Sequence, residues 1–219
     1  NSLTINSGAS LKPQDGTDIT FGTSSQVCTV TNNGTFTNRN SNNTVTFKGA
    51  SSLYPFAYEG TDFNWAGDAS AGNVQNYILS NCNWNPDITT GAYVNIQLAG
   101  DCEFDAFTVS ANSTLDINGQ RMECSGLFIN GGTTNWGGAG AMHIANQFSI
   151  GGTNDEEEGA AFIVTGGGAD TNNDFADGSF VGDATTNILI NNGTTSVDWS
   201  SSTNYAGNII VGSPFRSQH

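Results

Sequence analysis

The sequence predicts an all-β chain wound as a parallel β-helix, a β-solenoid with coils of about 20 residues. Three observations carry that expectation. A short strand unit recurs: Phe107-Thr108-Val109 is echoed by Leu127-Phe128-Ile129 and again by Phe148-Ser149-Ile150, 20 and then 21 residues on. Between them Met122-Glu123-Cys124 is echoed by Met142-His143-Ile144, and Leu115 by Trp136. Turn residues (Gly, Asn, Ser, Thr) fill the gaps between the apolar runs, and no window holds the 3.6-period apolar stripe of an amphipathic helix.

Taken in order, the chain begins with Leu3 to Leu11, which matches Phe107 to Leu115 in character: a short alternating strand, a small polar corner, a second strand. Ile19-Thr20-Phe21, Val27 to Val30, Thr35-Phe36-Thr37 and Val45-Thr46-Phe47 alternate as half-buried strands do. Asn-Asn-Gly-Thr recurs at Asn32 to Thr35 and Asn191 to Thr194, with Asn130-Gly131-Gly132-Thr133 as a variant, and is read as a solenoid corner. From Leu53 to Trp84 the repeat degrades, so an irregular aromatic-rich insertion or flanking loop is expected at about 53–90 within a single domain spanning 1–219. Its aromatics, among them Tyr54, Phe56, Tyr58, Trp65 and Trp84, either cap the solenoid or form a binding platform for a glycan or partner. Val94 to Leu98 restarts the alternation, Ala161 to Val164 and Asn187 to Ile190 are strands, and Ile209 to Val211 is the last apolar run.

Charge narrows the functions. Five basic residues against twenty acidic ones give a net charge of −15, so no basic patch exists to neutralise phosphates and nucleic acid is not an expected partner. No segment approaches the roughly 20 apolar residues of a membrane span. The four cysteines, Cys28, Cys82, Cys102 and Cys124, form no C-x-x-C pair. The last three recur at the solenoid period, as a buried ladder of free thiols or as cysteines close enough to bridge.

Two places can carry chemistry. Asp170, Asn172, Asp174 and Asp177 put oxygen ligands on a Gly-rich loop that suits Ca2+, the one cofactor the sequence suggests, although the EF-hand glycine and bidentate glutamate are missing; the alternative is a polar surface turn. Asp101, Glu103 and Asp105 can set carboxylates on one strand face, adequate for acid/base work on a glycosidic bond, or equally a solvated edge. The two histidines do not pair, and His143 is expected to face outward. No nucleophile has a visible partner, and the expectation is a protein that is not an enzyme.

The units LTINSGASL, TVTFKGASS and FTVSANSTLDINGQRMECSGLFINGGT resemble the degenerate repeats of right-handed parallel β-helix proteins. Such repeats occur in bacteriophage tail fibres, tailspikes and capsid-attached fibres, and in bacterial adhesins. The resemblance covers most of the chain outside about 53–90 and carries over no catalytic residue. It implies a structural or attachment protein of a virion or cell surface, extracellular, and a homo-oligomer such as a trimer. Its partners would be other virion or surface proteins, or a host-surface glycan.

Overall fold

The computed structural model describes residues 1–12, 18–22, 27–37, 44–53, 55–66, 69–139, 141–155, 159–165, 172–174, 187–190, 196–198 and 208–211. Among these there is no helix, and every ladder between strands is parallel. A long sheet runs through Ser2–Ile5, Cys28–Asn32, Phe56–Gly60, Cys82–Trp84, Cys102–Phe104, Arg121–Asn130, Met142–Ile150, Ala161–Val164, Asn187–Ile190 and Asn208–Val211. A seven-stranded sheet takes Ile19–Gly22, Thr44–Lys48, Gln75–Ser80, Val94–Leu98, Thr114–Asp116, Thr133–Asn135 and Thr153–Asp155. The chain visits these sheets in turn and returns each time beside its previous visit, an arrangement compatible with a β-solenoid.

Alternation explains the core. In Val94–Leu98 the residues Val94, Ile96 and Leu98 are buried, while Asn95 and Gln97 point out. Stacking repeats each choice in the next strand, so Phe107, Phe128 and Phe148 pair in register and pack ring against ring. The corners are tied by asparagine. Asn32 and Asn130 are buried; each accepts through Oδ1 from the N–H two residues on, at 3.1 Å (Gly34) and 3.2 Å (Gly132). Their Nδ2 groups donate onward to the carbonyls of Thr61 and Thr153, at 3.2 and 3.0 Å.

Several expectations are corrected. The stretch 53–90 is not an insertion: Phe56–Gly60, Gln75–Ser80 and Cys82–Trp84 are members of the two sheets. Register partners before Cys82 stand 25 to 32 residues apart, against 19 to 21 between Cys82 and Val164, so a search at one fixed period loses the repeat there. Sequence echoes also mislead by one or two places. Met142 pairs with Arg121 and His143 with Met122, Phe107 pairs with Phe128, and Leu115 pairs with Thr134. A bulge is one cause: between Cys124 and Leu127, Ser125-Gly126 stand opposite Asn146 alone. A slip of one residue exchanges the faces. His143 is therefore inside at 1% exposure, and Met142 is outside at 39%.

Cys82 and Cys102 are register partners, but Cys124 pairs with Phe104, two places along. All four cysteines are free thiols. Burial, and after it the neighbouring Cys102, pushes the Cys82 thiol well above its ordinary range, so it has no thiolate character.

Candidate functional site

The strand Cys102–Phe104 turns Cys102 and Phe104 inward, which leaves Asp101, Glu103 and Asp105 exposed on one outer face of the long sheet. The three carboxylates are thus brought together as the sequence suggests. What the sequence did not reveal is how each is engaged. Asp101 Oδ1 accepts from the Arg121 backbone N–H at 3.0 Å, and Asp105 Oδ1 accepts from the Ser125 hydroxyl at 3.0 Å. Glu103 Oε1 lies 3.6 Å from Arg121 Nη1, while Nη2 of the same guanidinium contacts Glu123. Glu103 and Glu123 are register partners, so two carboxylates would face each other across adjacent strands without that cation. Arg121 could have been found by its place, 20 residues beyond Asp101 and two before Glu123.

The cavity beside this cluster is about 60 Å³, lined by Pro55, Asn81, Asp101, Glu103 and Arg121 among others. It accommodates a few waters; a pocket for a drug-sized ligand is on the order of 300 Å³ or more. Chemically, the face is a set of ties between neighbouring strands: carboxylates held by one arginine, one hydroxyl and one amide.

The aromatic platform does not stand. Phe56, Tyr58, Trp65 and Trp84 are each no more than 2% exposed, because strand alternation turns them into the core. Tyr58 and Trp84 stack with ring centres 4.0 Å apart and planes 1° from parallel. Tyr58 donates to the Thr61 carbonyl at 3.0 Å and accepts from Asn32 Nδ2 at 2.9 Å; burial raises its pKa far above the phenol value. Rings enclosed in this way have no face to offer a glycan. Tyr54 lies outside the described residues.

Of the proposed Ca2+ ligands, Asn172 and Asp174 fall in a strand, Asn172–Asp174, which pairs with Ser196–Asp198; Asp170 and Asp177 lie outside the described residues. Among the described residues no three His, Cys, Asp or Glu side chains converge as a metal site. His143, expected outside, packs instead against Trp136 and Phe162. Its Nε2 carries the proton, because its partner is the Trp136 carbonyl oxygen at 2.9 Å, which can only accept. Nδ1 then has no partner.

The fold defines the class: an all-β protein of stacked parallel strands, compatible with a β-solenoid. No protein-family model, curated protein or solved structure matches the chain.

Proposed function

We propose that the chain is a non-catalytic structural or attachment protein, a right-handed parallel β-helix with coils of about 20 residues. In this reading it is a component of a phage virion, as a fibre, spike or capsid decoration, and works as a homo-oligomer against other virion proteins or a host-surface glycan. One observation carries the reading. Asp101, Glu103 and Asp105, the carboxylates best placed for acid/base chemistry, are each engaged in a tie to the next strand. A general acid or base has to be free to exchange a proton with substrate or water.

The test has two arms. Antibody labelling of virions and of host cells is expected to place the chain on virions; labelling of the bacterial surface alone would favour an adhesin. Reducing-end and unsaturated-sugar assays over a glycan panel are expected to show no turnover. Turnover abolished by Asp101→Ala or Glu103→Ala would replace this reading with a polysaccharide-active enzyme.

A further inference from the structure

Strands of a parallel sheet alternate where one face meets water and become continuous apolar runs where both faces are covered. The chain contains both kinds. Val94–Leu98 and Cys102–Phe104 alternate, with Asn95, Gln97 and Glu103 outside. The later strands of the long sheet do not: Ala161–Val164 reads AFIV, Asn187–Ile190 reads NILI and Asn208–Val211 reads NIIV.

Register converts these runs into a surface. Glu123, Ile144, Ile163 and Leu189 are successive partners in one row, which continues at Ile210, and beside it run Arg121, Met142, Ala161 and Asn187. His143, Phe162 and Val164 take the inward positions. Ile144, Ile163 and Leu189 are therefore outward and half-buried, next to the exposed Met142, with about 4.8 Å between neighbours. The apolar strip begins where the acidic ladder stops.

We propose that this strip is the face on which a second copy of the chain docks. Charge selects that occupant. At a net charge of −15, two copies approach without repulsion only where no carboxylates face each other. Upstream, the same sheet presents Glu59, Asp101, Glu103, Asp105 and Glu123 outward, whereas Ile144, Ile163 and Leu189 present none. Two such faces pack as stacked sheets about 10 Å apart, with the Arg121–Glu123 pair at the polar rim.

The inference rests on reading the chain as a structural protein, and the two fail separately: glycan turnover overturns that reading, and the state of association decides this face. Sedimentation velocity of the full chain over a wide concentration range is expected to show a dimer or larger closed oligomer. Ile163→Glu should leave monomer with an unchanged β spectrum. Ile163→Thr, which keeps strand propensity, should weaken association at least tenfold, and Asn95→Glu on the other sheet should leave it intact. A wild-type chain that is monomeric throughout overturns the proposal. So does an oligomer that Ile163→Thr does not weaken, or one that Asn95→Glu disrupts equally.

Discussion

Acid should weaken this fold through one histidine. His143 is 1% exposed, packed between Trp136 and Phe162, with Nδ1 unpartnered. Burial lowers its pKa from 6.5 to about 3, and the bond to the Trp136 carbonyl offsets only part of that. The unfolded chain, titrating near 6.5, takes up the proton first. Stability therefore rises with pH in this window: the neutral ring's contribution is present above about pH 6.5 and is lost as pH falls towards 3. At 1.36 kcal/mol per unit, the loss is about 2 kcal/mol at pH 5 and about 5 kcal/mol once both states are protonated. The assay is urea unfolding of wild type and of His143→Gln at pH 7.5 and pH 5. Glutamine does not titrate and retains a donor for the Trp136 carbonyl. The carboxylates titrate in both proteins, so they cancel in the difference. Wild type should lose about 2 kcal/mol more than the variant over that interval. Equal losses would refute the assignment of the acid sensitivity to His143.

Three further outcomes follow from the ties between strands. Gly132→Ala drives a Cβ into the carbonyls of Ser110 and Ser113, whereas at Gly151 the nearest atom is the Asn130 carbonyl at 3.8 Å. Thermal melts should show a loss of about 2 kcal/mol or more for the first and little change for the second. Asn130→Ala strands the Gly132 N–H, the Thr153 carbonyl and Asn154 Oδ1, and should cost about 2–3 kcal/mol in the same melts. Arg121→Ala removes the cation between Glu103 and Glu123, both partly exposed; chemical denaturation should show a loss of about 1 kcal/mol or less, shrinking as salt screens the pair.

The fold was legible from periodicity because a stacked sheet repeats its inward choices, as the column Phe107, Phe128, Phe148 does. Register was less legible. Aligning Met122 with Met142 matches chemistry, but Cys102–Met122–His143–Phe162 shows that an inward row tolerates thiol, thioether, imidazole and phenyl alike. The sequence reading of His143 as outward followed from that one-residue error. The carboxylate face was legible because alternation alone sends Asp101, Glu103 and Asp105 the same way. Its meaning was not, because the partners Arg121 and Ser125 lie 20 residues off and become neighbours only when the strands stack.

The aromatic region illustrates why composition without alternation points the wrong way. Aromatics clustered where the repeat fails look like a surface feature, but both properties have one cause. Before Cys82 the steps between register partners are longest, and a longer circuit of chain encloses more interior. Native packing density must still be reached, and only large side chains reach across that space. Phe36, Phe47, Phe56, Tyr58, Phe63, Trp65, Tyr77 and Trp84 are all buried and form one continuous set of ring contacts. Where the steps shorten, Val94, Ile96, Leu98, Cys102, Leu115 and Cys124 do the same work with smaller volumes. The two-residue spacing of Phe56 with Tyr58 and of Phe63 with Trp65 already says that each pair shares a strand face. On an alternating strand whose other positions are Ala57, Glu59 and Asn64, that face is the inner one.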